Sequence, residues 1–192
     1  MNNPQDIVVL EKLTDVLDTL NIVYVIGGSM ASSAYGAVRF TQDADITVEP
    51  FGPIADKLFE TLKDDFYISR EAMHQALQSR SSFNVIHFAT AFKIDIFVRL
   101  DTEFHRQMLS RSRKLRLGEG TKPVSFVSPE DIILLKLDWF RKSGCSSERQ
   151  WSDIKGVLCA QGDSLDYEYL RKWSEKLGVE ELLRRVINES KT

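Results

Sequence analysis

The chain has 192 residues, of which 43 % are hydrophobic and 28 % charged, and its formal charge is −3. That balance is ordinary for a globular domain with an unaided core, and it gives no global attraction for nucleic acid or an anionic membrane, leaving only a local patch to serve such a partner. Cys145 and Cys159 lack CxxC spacing and read as two free thiols in a reducing compartment; no basic leader and no apolar run of about 18 residues is present, so neither a signal peptide nor a membrane span is expected and the cytoplasm is the expected location.

Ile7, Leu10, Leu13, Leu17 and Leu20 fall at helical spacing and predict a first helix that ends at Asn21. Ile22 to Ile26 is a short apolar run and predicts a buried strand, broken by Gly27-Gly28-Ser29 before a small-residue helix to Tyr35. Asp43 to Val48 alternates polar and apolar and predicts a strand with one polar face. Gly52-Pro53 opens an amphipathic helix through Leu62. Phe83–Ala89 and Phe92–Val98 read as a hairpin about Thr90-Ala91, followed by a helix in Leu100–Arg111 and a short strand at Val124–Val127. Ser128-Pro129-Glu130-Asp131 combines a cap, a proline in the first turn and acids, a strong helix start, and only helices are expected beyond it, over 129–142, 148–160, 166–177 and 179–189. The composition shift near Ser128 is the expected boundary.

Three features bear on chemistry. Gly27-Gly28-Ser29 closes a strand and opens a helix: two glycines permit close backbone approach, and the helix start offers unpaired N–H groups to an anion. Glycine at such a turn also serves geometry alone. Asp43 and Asp45, two apart on a strand, point to one side with Cα atoms roughly 6.5–7 Å apart. Side by side they repel unless a cation sits between them, and hard oxygen ligands suit Mg²⁺ or Mn²⁺; a solvated strand edge is the plainer reading. Asp95 lies in Phe92-Lys93-Ile94-Asp95-Ile96-Phe97-Val98, where Lys93, Asp95 and Phe97 share one face. An acid in so apolar a strand is costly unless it binds metal or is paired, with Lys93 on a neighbouring strand or with an arginine.

In this order the features resemble the nucleotidyltransferase superfamily, the polymerase-beta-like fold. Gly27-Gly28-Ser29, Gly36 and Arg39-Phe40-Thr41-Gln42-Asp43-Ala44-Asp45-Ile46 are similar to its signature, nearest the minimal bacterial members grouped with AbiEii-type toxins. The resemblance spans about residues 22–98. It implies an α+β fold: a mixed β-sheet nucleotidyltransferase palm with flanking helices over 1–127, and an α-helical C-terminal region over 128–192 packed on it. It further implies that Asp43, Asp45 and Asp95 ligate two Mg²⁺ (or Mn²⁺), with Asp95 also helping to deprotonate an acceptor hydroxyl. Gly27, Gly28 and Ser29 would hold the phosphates of an NTP, ATP in the first place. Metals about 3.5–4 Å apart suit an in-line displacement. Arg39 would neutralise phosphate charge or pair with an acid. Lys136, interrupting the apolar run Ile132–Leu137, would reach the triphosphate or snorkel. Asp153 is read as a partner for Lys136 or Arg149.

The implied acceptor is a small molecule, a protein or RNA, and the toxin likeness implies an antitoxin partner; a homo-oligomer is also open. Arg106, Arg111, Arg113, Lys114 and Arg116 form the basic run, either a solvated face or a contact for RNA. His74, His87 and His105 have no ligand spacing, and Trp139, Trp151 and Trp173 are read as core. A non-catalytic module of the same fold, binding nucleotide or a partner protein, is the alternative class.

Overall fold

The computed structural model describes residues 4–36 and 41–190. Their elements are α1 (Pro4–Thr19), β1 (Tyr24–Ile26), α2 (Gly28–Tyr35), β2 (Asp43–Val48), α3 (Ala55–Leu62), β3 (Phe66–Ile68), α4 (Arg70–Ser79), β4 (Ser82–His87), β5 (Lys93–Val98), α5 (Glu103–Ser110), β6 (Arg113–Arg116), β7 (Pro123–Phe126), α6 (Pro129–Lys142), α7 (Glu148–Gln161), α8 (Tyr167–Leu177) and α9 (Glu180–Ser190). A turn of 3₁₀ helix at Gly52–Ile54 leads into α3, and another at Gly162–Ser164 follows α7.

Within these residues the fold divides into two compact units. The first comprises 4–27 and 41–126 and contains a mixed seven-stranded sheet in the order β3-β4-β5-β2-β1-β7-β6. Strands β2 and β5 run parallel, as do β1 and β7; the other neighbours are antiparallel. The period-2 pattern read from Asp43–Val48 is the observed burial: Ala44, Ile46 and Val48 are wholly buried and the alternate residues are partly open. Ile94, Ile96 and Val98 repeat it on β5, and Phe83 and Val85 on β4. This apolar side joins the buried sides of α3 and α4, including Ala55, Leu58, Leu62, Met73 and Ala76. Burial of one such aliphatic side chain contributes about 1.5–3 kcal/mol.

The second unit comprises 28–36 and 127–190, that is α2 together with α6–α9. The cap expected at Ser128 forms: its Oγ accepts from the Asp131 amide, with Pro129 in the first turn. Ser147 and Asp166 cap α7 and α8 in the same way. Helix α2 packs on α7 so closely that a Cβ on Gly36 would lie 2.7 Å from Gly156 C and Val157 N. Glycine is required there because the obstacle is backbone, which cannot turn aside.

Three elements escape the sequence reading. β3 and α4 lie between Leu62 and Phe83, and β6 lies within the basic run. Arg-Lys-Leu-Arg has no apolar alternation to betray a strand; it pairs only with β7 and forms the edge of the sheet, where charge discourages further pairing. Trp139 corrects the core assignment of the tryptophans: it is 55 % exposed, while Trp173 is buried and Trp151 is partly open, donating Nε1–H to Glu189 at 2.7 Å. No helix among the described residues is long and apolar enough to cross a membrane.

Candidate active site

The parallel pairing of β2 and β5 sets the register Asp43–Lys93, Asp45–Asp95 and Thr47–Phe97. Residues opposite one another share a sheet face, so Asp43, Asp45 and Asp95 emerge on one side, opposite to the buried Ala44, Ile46, Ile94 and Ile96. Two carboxylates directly across a strand pair repel, and such a pair is unfavourable without a neighbouring positive charge.

Lys93 supplies that charge. Its Nζ lies 2.8 Å from Asp95 Oδ2, an ion pair within one strand at i, i+2. The hydrogen bond that Lys93 donates to Asp95 is the largest cause holding the Lys93 ammonium above its ordinary pKa; desolvation comes next and opposes it, and the fields of Asp95, Asp43 and Asp45 add to the rise. The sequence left Asp95 with Lys93 on a neighbouring strand or with an arginine as partner; Lys93 is the partner found, and it lies on the same strand, two residues away. The signal was available, since period 2 puts Lys93 and Asp95 side by side. Asp43 Oδ1 accepts from Thr41 Oγ1 at 2.7 Å, and Thr41 is buried, so this carboxylate is aimed by a fixed hydroxyl that sequence reasoning missed.

Three carboxylates with few competing ligands suit a hard divalent cation. As they stand, no three His, Cys, Asp or Glu side chains among the described residues are gathered tightly enough to grip one. The ammonium of Lys93 stands at Asp95 instead, and Lys93 is part of the same polar face on a long, 44 %-exposed stem. The donor set therefore fits a metal in kind, with a tethered cation resident at it.

The glycine-rich turn begins beside these acids. Gly27 N–H donates to Asp45 O at 2.8 Å, continuing the β1–β2 ladder, and Gly28 starts α2 with φ +54, a left-handed conformation that glycine adopts without strain. Ser29 lies in the first turn of α2. Arg39 lies outside the described residues.

Lys136 is 4 % exposed on α6, and its Nζ donates to Asp153 Oδ2 at 2.9 Å and Gln150 Oε1 at 2.8 Å, both on α7. Of the two partners read for Asp153, Lys136 is the one observed. Ser32 Oγ on α2 lies 3.4 Å from the same Asp153 oxygen and 3.1–3.2 Å from the carbonyls of Ser29 and Gly28. A buried ion pair is thus linked through one hydroxyl to the backbone of the glycine–serine turn.

The basic run is dispersed. Arg106 pairs with Asp101, Arg116 donates to the Thr121 carbonyl, and Arg113, Lys114 and Arg116 lie on β6 at the far edge of the sheet from β3 and β4. The histidines make local contacts: His74 with Asp56, His87 with Thr90 and His105 with Thr102.

No protein-family model matches the chain, and no curated protein matches it in sequence. Among solved structures the chain is similar to an antigenic nucleotidyltransferase-like protein from Paracoccidioides brasiliensis, at 17 % identity over 95 % of this chain and 92 % of that one, TM-score 0.55. It is also similar to ANT(2'')-Ia in complex with adenylyl-2''-tobramycin, at 14 % identity over 90 % and 98 %, TM-score 0.60. The solution structure of the antibiotic-resistance factor ANT(2'')-Ia gives 16 % identity over 94 % and 98 %, TM-score 0.56. The chain has the nucleotidyltransferase fold, an α+β architecture with a mixed sheet and a helical C-terminal region.

Proposed function

We infer that the protein is a Mg²⁺-dependent nucleotidyltransferase that moves an NMP group from an NTP, ATP in the first place, to an acceptor hydroxyl. The observation that carries this reading is the β2–β5 register, which brings Asp45 and Asp95 opposite each other and adds Asp43 on the same face. A fold shared with ANT(2'')-Ia, solved with an adenylylated product, supports it. Asp43, Asp45 and Asp95 would hold divalent metal, which supplies charge neutralisation for the triphosphate and for the leaving pyrophosphate. Gly28 and Ser29 would receive phosphate oxygens on backbone N–H groups and the Ser29 hydroxyl, and Gly27, whose N–H is held by the Asp45 carbonyl, would allow the backbone to come close to the ligand. Lys136, whose Nζ is committed to two partners, would support this turn through Asp153 and Ser32.

In the reaction the acceptor oxygen bonds to the α-phosphorus, the bond from that phosphorus to the bridging oxygen breaks, and pyrophosphate leaves. Asp95, once released from Lys93, would take the acceptor proton. We assign residues 1–127 as the catalytic domain and 128–192 as its helical region. The test is incubation of the full chain with each α-labelled NTP, Mg²⁺ and a cell extract. Label from one NTP should pass to a discrete acceptor, and the Asp45→Asn protein should transfer none. A thermal stability that no NTP raises at millimolar Mg²⁺ would favour a non-catalytic module of the same fold instead.

A further inference from the structure

The sheet face that bears the three acids continues past Asp95 onto β4 and β3. The register sets Asn84 opposite Asp95, Ser82 opposite Phe97, and Ile86 opposite Lys93, with Tyr67 of β3 beyond Ile86. Asn84 and Ser82 are exposed, Phe97 is 42 % exposed and Tyr67 is 56 % exposed. Phe97 stands two residues along β5 from Asp95 and on the same face, so its exposed ring borders whatever approaches that carboxylate. Beyond Lys93 and the acids themselves, this stretch carries no charge: two aromatic rings, an isoleucine, an amide and a hydroxyl.

The two sides of the acid group differ. Toward β1 lies the Gly27-Gly28 turn, tied to Asp45 by the Gly27–Asp45 hydrogen bond. On the reading above, the triphosphate belongs on that side. Asp95 is the acid farther from β1 and nearer to β4. The group that receives the nucleotide must therefore approach over β4, across Asn84 and Phe97.

We propose that Asn84, opposite Asp95, and Phe97, two residues along from it, form the acceptor subsite, and that it takes a small, uncharged, hydroxylated ring molecule rather than a nucleic acid. This rests on the nucleotidyltransferase reading and deepens it. An aromatic ring offers its face to the C–H side of a ring molecule, and the Asn84 amide can both donate to and accept from hydroxyls. A polyanionic acceptor would need cations along its path, because phosphate neutralisation dominates nucleic-acid affinity. The exposed cations of β6 stand at the opposite edge of the seven-stranded sheet, five strands away from β5 counted inclusively, and cannot serve a chain lying over β4 and β3.

The experiment uses the full chain labelled with ¹⁵N, Mg²⁺ and the α,β-methylene analogue of ATP, with p-nitrophenyl glucoside and hexauridylate as separate probes. The glucoside should move the side-chain amide signal of Asn84 and the backbone signal of Phe97 and leave β6 unmoved. Asn84→Ala and Phe97→Ala, both at exposed positions, should each weaken its binding by about tenfold. Hexauridylate moving the Asn84 and Phe97 signals, or the glucoside moving neither, overturns the proposal. The analogue added alone reports separately on the underlying reading: if Gly27 and Gly28 do not respond to it, the nucleotidyltransferase assignment fails, whatever the glucoside does at Asn84.

Discussion

Asp45 and Asp95 stand directly opposite each other on the parallel strands β2 and β5, with their side chains on one face. Like charges so placed destabilise the empty protein and stabilise a cation-bound one. Asp45→Asn should leave the apo protein as stable as the parent or slightly more so, and abolish Mn²⁺-dependent ATP binding, measured by calorimetry. A large loss of apo stability would mean that the carboxylate is a structural group.

Asp95→Asn separates transfer from nucleotide binding. ATP affinity should stay within a few-fold while single-turnover transfer falls by roughly a hundredfold or more, the scale expected for a positioned base. Normal transfer per folded molecule would remove Asp95 from the chemistry.

If Asp95 holds metal as proposed, Lys93 would compete for it, since its Nζ lies 2.8 Å from Asp95 Oδ2. Lys93→Met removes the competitor and keeps the stem. Mn²⁺ affinity should rise several-fold and the melting temperature without metal should fall; a partly exposed pair of this kind contributes about 0.2–1 kcal/mol. Weaker Mn²⁺ binding in the variant would show that Lys93 assists the metal site.

Lys136→Met strips Asp153 of its buried cation on α7. Denaturant unfolding should show a loss of about 3–5 kcal/mol, and Asp153→Leu added to it should restore part of that loss, because no unpaired charge then remains inside.

Acid sensitivity should be visible at Asp56. A hydrogen bond from Arg70, with His74 next, holds its carboxyl at about 2 against an ordinary 3.8. The folded protein therefore keeps this group ionised where the unfolded chain protonates it. The stability it confers is complete above about pH 4 and disappears as the pH falls through about 2. Asp56→Asn should lower the melting temperature at pH 6 and match the parent near pH 2; an equal difference at both values would assign the effect to packing.

The sheet face was legible because Asp43, Asp45 and Asp95 sit among residues of strict alternation, and alternation fixes which side chains travel together. The partners were harder to read. Lys93 lay in plain view, and period 2 alone sets it beside Asp95 on one strand; which residue of β2 faces it depended on the parallel register, which no local pattern encodes. Lys136 was read as snorkelling or reaching a triphosphate from its place in an apolar helix; its contacts with Gln150 and Asp153 arise from the α6–α7 pairing, which the sequence does not spell out. β6 was hidden for the opposite reason, a strand whose role at an edge selects charge over alternation.

Helix α2 lies in sequence between β1 and β2, yet its buried side chains Ala31, Ser32 and Tyr35 belong with α6 and α7. The polypeptide therefore leaves the sheet unit at Gly27, returns before β2 and leaves again after Phe126. No single cut releases the sheet unit whole. A fragment ending at residue 127 would keep all seven strands while stranding α2 with its apolar side and the Gly36 contact uncovered. Such a fragment should aggregate or fold without a fixed α2, and with it would go the glycine–serine turn. Helices α6 and α7 thereby support a turn encoded about a hundred residues earlier, and if that turn binds nucleotide as proposed, lesions in them should read out first as weakened nucleotide capture.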